Sequence, residues 1–103
     1  MKPYTLWRLY TEARENLPSI VRGYFDGAAI IATTGIWRGA QELGAIIEVL
    51  VITGHPRDAP KDLDGAERIL ALAADIRRTN EQTSVLITRS DVDAFESTTE
   101  PTL

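Results

Sequence analysis

Ala45-Ile46-Ile47-Glu48-Val49-Leu50-Val51-Ile52-Thr53 is the stretch from which the fold is read. It is dominated by β-branched and aliphatic side chains and stops at Gly54, the composition of a strand inside a sheet. Alternation puts Ala45, Ile47, Val49 and Val51 on one face. Ile46, Leu50 and Ile52 fall on the other, with Glu48 among them. A strand of an antiparallel sheet with one wet face would instead alternate apolar with polar. Both faces of this strand ask for cover.

Working outward, Ala28 to Trp37 is a second strand, rich in isoleucine and threonine. It too is apolar on both sides, with Ala28, Ile30 and Ile36 opposed to Ala29, Ile31 and Trp37. Between these strands, Arg38 to Gly44 holds glycine and polar residues and predicts a hairpin loop. Upstream, Tyr4 to Glu12 alternates as a strand, with Tyr4, Leu6, Arg8 and Tyr10 on one face. Asn16 before Leu17-Pro18 suits a helix N-cap with proline in the first turn. Leu17, Ile20, Val21, Tyr24 and Phe25 then mark the stripe of a short helix over 17–25.

Downstream, Gly54 to Leu63 carries prolines and charges and predicts a solvated loop. Asp64 and Glu67 have capping-box spacing. The helix after them shows a face of Ala66, Ile69, Leu70, Ala73 and Ile76, widened by Leu72. Ser84 to Thr88 is a last short strand, Ser90-Asp91-Val92-Asp93 begins a helical turn, and 97–103 is a disordered tail. The order strand, helix, strand, strand, helix, strand is that of an α+β, ferredoxin-like domain. It has a four-stranded antiparallel sheet with two helices on one face, occupying residues 1–96.

In such a domain the helices cover one sheet face. The apolar second face predicts self-association as a dimer or trimer through the open sheet. On that face Glu48 is expected to pair with Arg8 or to belong to an interface site.

The 103 residues contain no cysteine, which excludes disulfides and thiolate zinc. A formal net charge of −4 argues against bulk nucleic-acid binding. The start, Met1-Lys2-Pro3-Tyr4 followed by Arg8, is not a signal peptide. The longest uncharged run, Gly27 to Trp37, is shorter than the ~20 residues of a membrane helix. A cytoplasmic location follows, the host cytoplasm for a phage gene. Asp62, Asp64 and Glu67 are read as caps, so no metal site and no cofactor are expected.

No nucleophile, metal-binding or phosphate-loop motif is present, and no catalytic residue is assigned. Trp37 beside Arg38 between Gly35 and Gly39 could stack a ring and pair an anion. His55, Arg57 and Lys61 in the following loop would extend that anion site. His55, the lone histidine, could also be a base oriented by Asp58, though an exposed loop histidine is the plainer reading.

Four stretches, Glu15-Asn16-Leu17, Tyr24-Phe25-Asp26-Gly27, Gly35-Ile36-Trp37-Arg38-Gly39 with Ile47-Glu48, and Asn80-Glu81-Gln82-Thr83-Ser84-Val85-Leu86-Ile87, resemble a type of small uncharacterised protein found in phage and bacteria. The Trp37-Arg38-Gly39 hairpin followed by the Glu48 strand is also similar to CutA-like proteins, ferredoxin-like trimers related in shape to PII signalling proteins. The chain departs from that family in lacking its cysteine and its long aromatic C-terminal segment. The likeness implies a fold and a habit of self-association, and no catalytic residue.

The resulting expectation is a non-enzymatic, homo-oligomeric accessory protein, phage-encoded, that binds a small anionic ligand such as a nucleotide. One alternative is a module that modulates a host protein, its acidic balance steering it to a basic partner. A second is a small enzyme with its site between sheet and helices, Glu48 or His55 serving as base.

Overall fold

The computed structural model describes residues 2–52, 59–95 and 97, and at 2, 37 and 59–64 it describes the backbone alone. In chain order the elements are β1 (Lys2–Glu12), α1 (Leu17–Arg22), β2 (Ala29–Trp37), β3 (Ala40–Ile52), α2 (Ala59–Asn80) and β4 (Leu86–Ala94). The strands form one antiparallel sheet in the order β2-β3-β1-β4. With one helix after β1 and the other after β3, this is the ferredoxin-like α+β fold.

Odd-numbered residues of β1 and β3 face the helices. Leu9, Ala45, Ile47 and Val49 meet Leu17, Val21 and Phe25 from α1 and its exit turn, and Ile69, Leu72, Ala73 and Ile76 from α2. Burying a large aliphatic side chain contributes about 1.5–3 kcal/mol, so this layer carries most of the driving force. Gly65 lets α2 lie close to β3, since a Cβ there would stand 2.9 Å from Val51 Cγ1. No helix among the described residues is long and apolar enough to cross a membrane.

Several boundaries differ from the sequence-based expectation. Arg38 (φ 51°) and Gly39 (φ 80°) both take left-handed backbone, which makes a two-residue hairpin turn of the kind that matches strand twist. β3 therefore starts at Ala40, and Gly44 sits inside the strand, not in a loop. Pro60 occupies the second position of α2, where its missing N–H costs nothing, so the helix starts five residues before Asp64. Asp64 is a helical residue there and not a cap.

Leu70, expected in the core, is 61% exposed. Asn16 makes no side-chain cap; its Nδ2 donates to Asn80 Oδ1 at 2.7 Å and ties the start of α1 to the end of α2. The turn expected at 90–93 is part of β4, because the ladder with β1 continues to Lys2↔Ala94.

Candidate functional site

The even-numbered residues of β1 and β3 build the sheet face away from the helices. Register sets them in rows: Ala29, Glu48, Arg8 and Thr88 across the middle, and Ile31, Ile46, Tyr10 and Leu86 beside them. On the other side lie Leu50, Leu6 and Ser90. Ile31, Leu50, Ile52 and Leu86 are between 42% and 62% exposed, an open apolar surface.

At its centre Arg8 Nε donates to Glu48 Oε2 at 2.6 Å. The hydrogen bond to Glu48 is the largest influence and raises the Arg8 pKa above its ordinary value; burial opposes it, and the carboxylate's charge adds a lesser upward push. The cross-strand partnership of Arg8 with Glu48 was readable from the sequence, because both fall on one face at adjacent strands.

The register also leaves part of the β2–β3 hairpin without a third strand. β1 ends at Glu12, opposite Gly44, whereas β2 and β3 stay paired to Trp37↔Ala40. Residues 34–43 thus form a two-stranded arm beyond the body of the sheet. Where the arm leaves β1, an open cleft of about 460 Å³ forms against the segment that links α2 to β4. Its volume falls in the range of small-molecule sites.

Ile36 and Leu43, 79% and 72% exposed, supply apolar walls from the arm. Thr11 and Gln82 supply a polar wall. Gln82 Nε2 donates to Thr11 Oγ1 at 2.8 Å, and Gln82 Oε1 accepts from Thr11 Oγ1 at 3.0 Å and Glu12 N at 3.4 Å. The backbone amide of Glu12 can only donate, which fixes the orientation of the Gln82 amide. Gly44 on the cleft floor allows the close strand approach, since a Cβ there would lie 2.8 Å from Thr33 Oγ1 and 3.2 Å from Thr11 O.

Among the described residues, Glu12 and Glu42 are the charged members of the lining, and no lysine or arginine lines it. Glu12 is paired with Arg14 at 2.6 Å. Glu42 has no hydrogen-bond or ion-pair partner among the described residues. No group of three His, Cys, Asp or Glu residues able to hold a metal occurs among the described residues.

Of the residues expected to form an anion site, the described ones lie at opposite ends of β3. Trp37 ends β2 and Arg38 occupies the hairpin turn at the arm's tip. Lys61 lies in the first turns of α2, beyond the opposite end of β3. β3 has 13 residues, on the order of 40 Å at ~3.3 Å per residue. His55 and Arg57 lie outside the described residues. Sequence reasoning missed the cleft because Thr11 and Gln82 meet across 71 positions of chain. The local signal was Gly44 within an otherwise continuous strand.

No family model matches the sequence, and no curated protein matches it. Among solved structures, a phage SAM lyase in complex with S-methyl-5'-thioadenosine is similar in fold. The match has a TM-score of 0.59 at 15% identity and covers 88% of this chain and 90% of that one. At that identity the likeness is one of fold. That neighbour is an enzyme, and it overturns the expectation of a non-enzymatic accessory protein. Among the described residues that line it, the cleft offers carboxylates and no cation to the anionic ligand of that expectation.

Proposed function

We propose that the chain is a small lyase acting on an adenosyl sulfonium, S-adenosylmethionine or a close relative, in the cleft between the β2–β3 arm and the α2–β4 segment. One observation carries this reading. The cleft is large enough for a nucleoside thioether, has apolar walls, and among the described residues is lined by glutamates without a basic side chain. It is a poor host for a phosphate and a fitting one for an uncharged adenosyl group that carries a positive sulfur. The fold neighbour with a bound methylthioadenosine supports the same ligand class.

The chemistry asks little of side chains. The bond from sulfur to the aminobutyryl carbon breaks and its electron pair goes to sulfur, leaving a neutral thioether. The freed carbon is satisfied within its own fragment, by attack of that fragment's carboxylate, which closes a lactone as the carbon–sulfur bond breaks. Orientation is then the main catalytic contribution. Thr11 and Gln82 offer hydrogen-bonding groups held in place by each other and by the Glu12 amide. Ile36 and Leu43 offer apolar contact to the ligand on one side.

We further propose that the working form is a homo-oligomer, a dimer or trimer covered at the outer sheet face, acting in the cytoplasm as a phage-encoded protein. Purified protein incubated with S-adenosylmethionine should release S-methyl-5'-thioadenosine in proportion to protein added, read by chromatography. Substrate recovered unchanged would overturn the lyase assignment.

A further inference from the structure

Charge is distributed unevenly around the cleft. Glu12 and Glu42 both line it, but the Arg14 guanidinium sits 2.6 Å from Glu12 and offsets that carboxylate. Glu42 keeps its charge without a partner among the described residues. Its cross-strand partner is Gly35, and a Cβ built on Gly35 would meet nothing within 4 Å. The space beside the Glu42 carboxylate is therefore open. On the same outer face, Thr33, Tyr10 and Leu86 also line the cleft, while Leu43 and Ile36 belong to the other face of the arm.

We infer that Glu42 is the residue by which the cleft tells a cationic sulfonium from the neutral thioether of the same skeleton. This rests on the lyase reading and adds a basis for selectivity to it. Two ligands that share the adenosyl and amino-acid parts make the same contacts with Thr11, Gln82 and the apolar walls. They differ in one charge at the sulfur position, and among the described residues of the lining Glu42 is the unoffset charge that can register it. In a surface cleft, solvent weakens that attraction to about a five- to tenfold difference in affinity.

The direction has a consequence for turnover. Breaking the carbon–sulfur bond removes the charge that Glu42 attracts, so the thioether is held less tightly than the substrate it came from. Glu42 favours the ground state over the transition state and helps binding more than chemistry.

Isothermal titration with two stable ligands tests this. One is S-adenosylhomocysteine, neutral at sulfur. The other is its aza analogue, in which a protonated tertiary amine stands in the sulfur position. Wild-type protein should bind the protonated analogue about five- to tenfold more tightly, with a ratio that falls as salt is added. Raising the pH until the amine is neutral should erase the preference. In Glu42→Gln the ratio should fall to near one with the affinity for S-adenosylhomocysteine unchanged. A ratio near one in wild type, or a ratio preserved in Glu42→Gln, would overturn the role of Glu42 and leave the lyase reading standing. If neither ligand binds at millimolar concentration, the lyase reading falls and this inference falls with it.

Discussion

Tyr24 donates its hydroxyl to Asp75 Oδ2 at 2.9 Å, and Thr79 Oγ1 donates to Asp75 Oδ1 at 2.9 Å. The Tyr24 hydroxyl first, and then Thr79, hold the Asp75 pKa below its ordinary 3.8, while the hydrogen bond to Asp75 raises that of Tyr24 above its ordinary 10.0. A lowered carboxyl adds stability above its ordinary value and loses it as pH falls through the lowered one. A raised phenol adds stability below its ordinary value and loses it as pH climbs through the raised one. This contact should therefore support the fold from roughly pH 4 to pH 10 and fade outside that window. Tyr24→Phe should lower the melting temperature by a few degrees between pH 5 and pH 9 and converge with wild type below about pH 3. A difference that persists unchanged at pH 2 would show that the ion–phenol contact is not its source. Such residue-scale links divide by legibility. Arg8–Glu48 follows from strand alternation, whereas Tyr24–Asp75 depends on how the exit of α1 happens to pass α2, 51 positions on.

At the scale of elements, the sequence discloses existence better than extent. All six elements are legible from apolar periodicity, and the errors concentrate where one residue serves an unexpected purpose. Gly44 resembles a loop residue and is a strand residue under Thr33. Pro60 resembles a breaker and stands in the first turn of α2. The C-terminus of α2 shows the reverse case, an unsuitable residue at a demanding position. Gln82 N donates to Arg77 O at 2.9 Å, closing the helix end, and Glu81 takes φ 55° there. Glycine is the usual occupant of that left-handed position. Glu81→Gly should stabilise the protein by about 0.5–1 kcal/mol in urea unfolding, because it removes the crowding of Cβ against the backbone. A loss of stability would mean that the Glu81 side chain makes up for its backbone. This turn delivers Gln82 to Thr11, so the element that ends α2 also builds one wall of the cleft.

The whole molecule measures 49 × 39 × 24 Å, long in one direction where a sheet of 9- to 13-residue strands carries a projecting arm. Its two sheet edges are unlike. β4 bears Arg89, Asp91 and Asp93, charges that discourage pairing with a stranger, while β2 has no charged residue at all. An open apolar face beside an unguarded edge is the arrangement expected of a surface that a second copy covers. Native mass spectrometry should show a dimer or trimer, and Leu50→Glu, at a half-exposed position on that face, should shift it to monomer. A wild-type monomer at micromolar concentration would remove the self-association proposal and leave the cleft as a site of one chain. This open face is legible in the sequence from Ile46, Leu50 and Ile52. The arm was not, because a strand's overhang depends on where its neighbour stops.

The position of β1 also sets an order of events. Of the four strands β1 emerges first and β4 last, yet β1 lies between β3 and β4 and pairs with β4 as far as Lys2↔Ala94. On a ribosome the β2–β3 hairpin can close through its two-residue turn as soon as it emerges. β1 can be flanked on both sides only after β4 has been made. Until then its Tyr4, Leu6 and Tyr10 stay available to any other chain in the polysome, so the nascent protein is most exposed to misassembly over the interval in which its sheet still lacks an edge.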